Sequence, residues 1–160
     1  MPPQTETAPV EDRELVLTRR IDAAPDKLFR AWTDPALLVQ WFAPLPWTTA
    51  HAELDVRPGG ASHIVMRGPD GVDLPNRGVY LEVVPGERLV FTNAYVRAWE
   101  PSEKPFMTAI VTFADEGGRT RYTALVRHWT LADRQTHEQM GFHRGWGQAA
   151  DQLEALAKRM

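Results

Sequence analysis

The chain has 160 residues and contains no cysteine. This absence excludes disulfide bonds, thiolate nucleophiles and cysteine-ligated metals. Long apolar runs are missing too: the longest aliphatic run, residues 36–39, is far shorter than the ~20 residues that cross a bilayer. A basic field is also absent, because the net charge is −3 and Lys and Arg are scattered. We therefore expect neither a membrane nor a nucleic acid as a partner.

Composition otherwise predicts an ordinary globular protein. Hydrophobic residues make up 43% of the chain and charged residues 24%, which is typical of a soluble domain. Residues 1–13 are mainly polar and lack the basic start and apolar core of a signal peptide, so we predict a disordered tail there. Residues 14–160 suit one domain. We expect a cytoplasmic location.

The first part of this domain predicts one strand followed by two short helices. Apolar and polar residues alternate over residues 14–21, as in a half-buried strand. Pro25 suits the first turn of a helix. Asp34 precedes a second proline and is a plausible cap for a second helix that ends before Pro44.

Beyond residue 48 the apolar period changes to two, which predicts a sheet. Hairpin turns such as Arg-Pro-Gly-Gly at 57–60 and Gly-Pro-Asp-Gly at 68–71 make it antiparallel. One face of such a sheet usually needs cover, and only the final helix is long enough to supply it. The strands are predicted over residues 50–56, 62–67, 76–84, 88–95, 106–114 and 120–129, with a loop at 97–105.

Residues 132–160 predict one long amphipathic helix that contains three glycines. A glycine inside a helix costs about 1 kcal/mol relative to alanine, so these positions need a reason. Gly141 and Gly145 fall on one edge of the apolar stripe, and Gly147 falls toward the other. Either close packing on a strand or free volume for a bound molecule would explain them.

Four segments together resemble a known family. They are Trp-Thr-Asp-Pro-x-x-Leu-x-x-Trp-Phe at 32–42, Asp-Val-Arg-Pro-Gly-Gly at 55–60 with Met-Arg-Gly-Pro-Asp-Gly at 66–71, the strand pair at 78–92, and Gly-Trp-Gly-Gln-Ala-Ala-Asp-Gln-Leu at 145–153. In this order they resemble the homologues of the activator of the heat-shock-protein-ninety ATPase, within the START-related helix-grip superfamily. The resemblance covers about residues 14–158.

The resemblance implies an α+β helix-grip fold. A curved antiparallel sheet of six to seven strands would surround a long C-terminal helix, with two short helices after the first strand. It also implies a cavity that takes a small hydrophobic or aromatic molecule without a cofactor. A cyclase, dehydratase or hydrolase acting on such a molecule, and a chaperone-partner module, are alternatives. The sequence leaves open whether the chain forms a homodimer.

The residue pattern supplies candidates for the cavity wall. They lie at inward positions of the predicted strands and on the apolar faces of the predicted helices. Some of them end in a polar group that would orient a ligand. They equally fit a filled core, because aromatic residues pack cores as readily as they line pockets. The candidates are Trp41, Trp47, Ile64, Met66, Tyr80, Phe91, Asn93, Tyr122, His143, Trp146 and Gly147.

The histidines give no recognisable metal or catalytic motif. No pair lies four apart on a helix beside a glutamate, so a zinc-protease pattern is missing and we predict no metal site. His51 and His63 lie off the apolar parity of their strands and are expected to point outward without a ligand partner. His128 and His143 are the candidates for a polar group at the cavity, or for a general base if the protein is an enzyme.

Overall fold

The structure of the protein is a computed structural model that describes residues 10–160. The predicted tail falls outside the described residues as far as residue 9. Its last four residues correct that prediction, because Val10–Arg13 form a short 3-10 helix. The guanidinium of Arg13 donates hydrogen bonds to the backbone carbonyls of His128 and Trp129, which attaches this helix to the domain.

Over residues 10–160 the chain forms nine β-strands and four α-helices. The strands are β1 (Glu14–Ile21), β2 (Thr48–Leu54), β3 (Ala61–Arg67), β4 (Asp73–Val84), β5 (Arg88–Thr92), β6 (Tyr95–Arg97), β7 (Glu100–Pro101), β8 (Met107–Glu116) and β9 (Arg119–His128). The helices are α1 (Pro25–Thr33), α2 (Pro35–Leu38), α3 (Leu131–Gln139) and α4 (Phe142–Arg159). The α+β helix-grip fold is confirmed.

Seven strands form one antiparallel sheet in the order β1-β9-β8-β5-β4-β3-β2. Strand β1 pairs with the last strand, β9, and forms one edge of the sheet, whereas β2 forms the opposite edge. Helices α1 and α2 therefore connect the two edges of the sheet. Both start as predicted: Pro25 is in the first turn of α1, and the Asp34 side chain accepts a hydrogen bond from the backbone N–H of Ala36 at the start of α2.

The fifth predicted strand ends early, at Thr92 rather than residue 95. The Thr92 hydroxyl accepts a hydrogen bond from the backbone N–H of Ala94, and Asn93 accepts bonds from the backbone of the following segment. Such side-chain bonds offer the backbone an alternative to the ladder. The chain then forms the small hairpin β6–β7 within the segment predicted as a loop.

The C-terminal segment predicted as one helix forms two helices, because the helical conformation is interrupted at Gly141. This glycine has φ +93°, a left-handed conformation that L side chains avoid. Gly141 is therefore a junction residue and not a glycine in a helix interior. Helix α4 begins with the buried ring of Phe142 and buries Leu153 fully against the sheet and α1.

The helices were compared with the length and hydropathy of a membrane-spanning helix. None of those formed by residues 10–160 is long and apolar enough to cross a membrane.

Candidate functional site

A cavity of about 500 Å³ lies between the concave face of the sheet and α4. Its volume falls within the range of small-molecule sites. Three parts of the chain form its wall: the α1–α2 region, the inner face of the sheet from β3 to β9, and the segment from α3 into α4. Most of the wall is aromatic or aliphatic, so water is a poor occupant for it.

The α1–α2 wall is a cluster of aromatic rings. The ring centroids of Trp32 and Trp41 lie 4.9 Å apart, and those of Trp32 and Phe91 lie 5.6 Å apart. Both indole N–H groups have partners within the protein: Trp32 donates to the Tyr122 hydroxyl at 3.2 Å, and Trp41 donates to the Ala31 carbonyl at 3.0 Å. The rings therefore offer the cavity mainly apolar surface.

Burial keeps the Tyr122 hydroxyl neutral. Desolvation raises the pKa of Tyr122 well above its usual range, although the hydrogen bond from Trp32 opposes this. The phenol consequently acts as a neutral hydrogen-bonding group at the base of the cavity.

The loop between α2 and β2 carries Trp47 over the cavity and is held by α4. The side-chain amide of Gln152 donates to the carbonyls of Trp41 and Ala43 at 2.9 and 2.8 Å, and its oxygen accepts from the N–H of Leu45 at 3.1 Å. The same oxygen also accepts from the side-chain amide of Gln148 at 3.5 Å, so every bonding group of Gln152 is used. This amide fixes one wall of the cavity relative to another.

The sheet wall follows the predicted parity. Ile64 and Met66 of β3 face inward with their register partners Asn76 and Leu74 on β4. Gly78 also lies in this wall. A Cβ at that position would lie 2.6 Å from the backbone oxygen of Thr92. Close approach of two strands therefore requires glycine there.

Polar side chains in the wall are few and mostly engaged. The Asn93 side-chain oxygen accepts two hydrogen bonds of 2.9 Å, from the backbone N–H groups of Phe106 and Met107. Asn76 donates to the carbonyl of Leu74 at 3.3 Å. Asn93 thus shapes the wall by holding the start of β8, a role that parity alone does not predict.

A pair of histidines lies where α3 meets β9. The Nε2 of His128 and the Nδ1 of His137 are 2.8 Å apart, and His137 lies in the cavity wall. Rings of Phe106 and Phe142 pack on His137 with centroids 5.3 and 5.1 Å away. His128 itself is buried behind the wall, so its predicted place at the cavity is taken by its partner.

Burial lowers the basicity of both imidazoles. Desolvation lowers the pKa of His137 to about 4, with the neighbouring His128 adding to the effect. Desolvation also lowers the pKa of His128, opposed by its bond to the Arg13 backbone and by Asp133, while the charge of Arg134 adds to the lowering. Both rings are therefore neutral near pH 7.

Eight of the predicted wall residues lie in the wall and three do not. Tyr80 is buried in the core two residues beyond Gly78, where the β4 part of the wall ends. His143 is exposed, and a Cβ on Gly147 would meet the Arg19 side chain of β1. The cavity therefore lies along only one edge of α4. The predicted residues found in the wall are Trp41, Trp47, Ile64, Met66, Phe91, Asn93, Tyr122 and Trp146.

Sequence reasoning missed the α3 contribution to the wall. His137 belongs to α3 and the exposed Met140 caps its C-terminus, and the left-handed turn at Gly141 sets the direction of this helix. On a continuous helix these residues would project differently. The only signal in the sequence was the enrichment of glycine near residue 141. The positive φ of Gly141, which the sequence does not give, determines where α3 lies.

A second histidine cluster lies on the outer face of the sheet. His51 and His63 point outward as expected, but they do not lack a partner: His51 Nε2 is 3.1 Å from a Glu53 carboxylate oxygen. One ligand atom from each of the three side chains lies within 4.8 Å of the others. These are zinc-ligand residue types, although the register partner of His63 is the cation Arg77. The group is separate from the cavity.

Comparison with known proteins follows the fold. The family model described as Activator of Hsp90 ATPase homolog 1-like protein matches residues 22–158. A crystal structure of a Nitrosomonas europaea protein is 40% identical, covers 92% of this chain and 96% of its own, and has a TM-score of 0.89. No curated protein matches the sequence.

More distant structures share the fold. A Mycobacterium smegmatis protein is 24% identical, with 96% of each chain covered and a TM-score of 0.78. An AHSA1-like protein from Aeromonas hydrophila is 20% identical, with coverage of 91% of this chain and 92% of its own and a TM-score of 0.68.

Proposed function

This chain belongs to the family of Activator of Hsp90 ATPase homolog 1-like proteins, and from that premise we propose that it binds a small, largely apolar molecule between its sheet and α4. The observation that carries the proposal is the cavity of about 500 Å³ with aromatic walls. A START-related fold supports ligand binding in general. The wall residues of this chain narrow the ligand to one with an apolar or aromatic body.

The energetics of such a cavity favour binding. Removing roughly 200 Å² of apolar ligand surface from water contributes about 5 kcal/mol. The full 5 kcal/mol corresponds to a Kd of about 0.2 mM, and ordering and association costs offset part of it, so affinities near the millimolar range are expected. The indole donors of Trp32 and Trp41 are already bonded within the protein, so a ligand need not satisfy them.

Gly145 offers a direct way to block the cavity. It lies in the wall, and a Cβ added there would meet nothing within 4 Å. Gly145→Leu should therefore place an aliphatic side chain in the cavity without a backbone clash. Ala155→Leu adds the same bulk to the exposed face of the same helix and is the matched control.

The test is a thermal-shift and tryptophan-fluorescence titration with apolar aromatic probes such as biphenyl. The wild type and Ala155→Leu should show a raised melting temperature and saturable quenching, whereas Gly145→Leu should lose at least about tenfold in affinity. Equal binding by Gly145→Leu, or the absence of binding by the wild type, would contradict the proposal.

An enzymatic role on the same cavity has one observation in its favour. His137 presents a neutral imidazole in the wall, which is the form a general base needs. A cyclase, dehydratase or hydrolase would use this ring in place of His143, which is exposed. His137→Gln should then abolish turnover while the fold is kept, and His143→Gln should leave turnover unchanged.

A further inference from the structure

The hydrogen bonds behind the cavity wall determine which atom His137 offers to the cavity. The chain of bonds begins at the backbone carbonyl of Arg13, which lies 2.9 Å from Nδ1 of His128. It continues over 2.8 Å from Nε2 of His128 to Nδ1 of His137. The two rings are thus connected in series, from the N-terminal 3-10 helix to the cavity.

The direction of this chain follows from its first acceptor. A carbonyl oxygen can only accept, so Nδ1 of His128 carries the hydrogen. In a neutral ring Nε2 then has none and must accept from Nδ1–H of His137. The second ring, neutral in turn, is left with a bare Nε2. Within residues 10–160 no side chain or backbone group is found bonded to that nitrogen.

The surroundings of the pair favour this neutral, ordered arrangement. Phe106 packs edge-on against His128 and also contacts His137, and Phe142 covers His137 from α4. The charged groups that face the pair are Asp133 and Arg134 of α3, whose effects on His128 oppose each other. The surroundings therefore do little to stabilise a second proton, and with it a positive charge, on either ring.

We propose that Nε2 of His137 is the hydrogen-bond acceptor for the cavity's ligand, so that the ligand is an apolar molecule carrying a hydroxyl or N–H donor. The inference rests on the proposed function and names the chemical class that the cavity selects. A pure hydrocarbon leaves the acceptor unpaired. A carboxylate or an ether brings a second lone pair toward it and is disfavoured.

Within this arrangement His128 is a positioning residue. It contacts the cavity only through His137, and its Nδ1–H bond to Arg13 sets the tautomer of both rings. The side-chain oxygen of Asn93 does not compete for the ligand, because two backbone N–H groups already occupy it. Asn76, the other amide in the wall, lies on an exposed part of β4, so on the α3 side of the cavity the acceptor role falls to His137.

Matched probes separate this inference from binding in general. Biphenyl, 4-hydroxybiphenyl, 4-methoxybiphenyl and biphenyl-4-carboxylate share one apolar body and differ in the polar group. At pH 7.5 the hydroxyl probe should bind about threefold to tenfold more tightly than the methoxy probe. His137→Leu should remove this ratio, and the exposed His143→Leu should keep it.

A spectroscopic test covers the case in which His137→Leu disturbs α3. Long-range ¹H–¹⁵N correlation spectra of the wild type should show both histidines protonated at Nδ1 and bare at Nε2. Adding 4-hydroxybiphenyl should shift the Nε2 resonance of His137, and adding biphenyl should not. In His128→Phe, the tautomer preference of His137 should be lost.

The outcomes distinguish the two proposals. If biphenyl and 4-methoxybiphenyl bind as tightly as 4-hydroxybiphenyl, or if His137 proves protonated at Nε2, the acceptor inference is overturned while cavity binding stands. If none of the four probes binds the wild type, both proposals are overturned.

Discussion

At the residue scale, burial decides which form a polar side chain takes. His128 and His137 differ from the three other histidines because both pack against Phe106, with His128 buried and His137 partly buried. A charged imidazole loses more solvation than a neutral one, so the neutral form wins. The same rule fixes Tyr122 as a neutral phenol.

The stability of the protein should fall as the pH drops from about 6.5 to about 4. The unfolded chain binds protons on its histidines near pH 6.5, whereas the folded chain protonates His137 only near pH 4. More protons on the unfolded state mean that acid favours unfolding. The loss for this pair should be on the order of 1–2 kcal/mol, since partial contact with water weakens the effect.

Urea unfolding at pH 7, 5.5 and 4 measures this loss. His137→Gln removes the titrating group, so its free energy of unfolding should decline less than that of the wild type over the same range. The exposed His143→Gln is the control and should decline as the wild type does. Parallel pH profiles for all three proteins would exclude the histidine pair as the cause.

At the scale of elements, the junction between α3 and α4 shapes the cavity. Helix α3 has no buried residue, and its contribution to the wall depends on the turn at Gly141. Gly145 lies one turn into α4 on the cavity edge. The two glycines therefore serve different purposes: one permits a left-handed backbone, and the other leaves space.

Alanine substitutions at these two glycines should have opposite effects. Gly141→Ala should lower the free energy of unfolding by about 1–2 kcal/mol, because an L residue is strained at φ +93°. Gly145→Ala should raise it by up to about 1 kcal/mol, because alanine favours a helix interior and nothing lies within 4 Å of the added Cβ.

Chemical denaturation of each variant at neutral pH measures the two changes. They form a matched pair, since neither added Cβ meets another atom and only the backbone conformation differs. A change of the same sign at both positions would show that φ at Gly141 is not the deciding factor.

At the scale of the whole molecule, Gln152 connects parts of the chain that are distant in sequence. Its amide binds the loop between α2 and β2, more than a hundred residues away, and so joins that loop to the C-terminal helix. Three hydrogen bonds from one side chain to this loop make it a stronger tie than a typical surface glutamine.

Gln152→Leu should lower the free energy of unfolding by about 1–3 kcal/mol and speed hydrogen exchange at the Leu45 amide. The leucine cannot replace the lost bonds, so two carbonyls and one N–H lose their partner. Gln40→Leu is the control, because Gln40 makes one exposed bond, to the Ala36 carbonyl, and its loss should cost under about 0.5 kcal/mol. Unchanged exchange at Leu45 would contradict the role of Gln152.

Local signals predicted the elements of this fold well. Proline and aspartate placed both short helices, and the two-residue period placed the strands of the main sheet. Parity also placed Ile64, Met66 and Phe91 on the inner face, since alternation along a strand is a property of its backbone. The four motifs predicted how the elements assemble.

The cavity depended on geometry that local patterns do not contain. A helical wheel shows His143 and Gly147 as equivalent to Gly145, yet only Gly145 borders the cavity, because β1 packs against Gly147. His137 reached the wall through the turn at Gly141, and His128 met it across a gap in sequence. The sequence by itself determined which residues form helices and strands and which faces are apolar, because these depend on near neighbours. The tertiary structure alone decided which edge of α4 stays open and which histidine faces the cavity, because both depend on the angle at which separate elements pack.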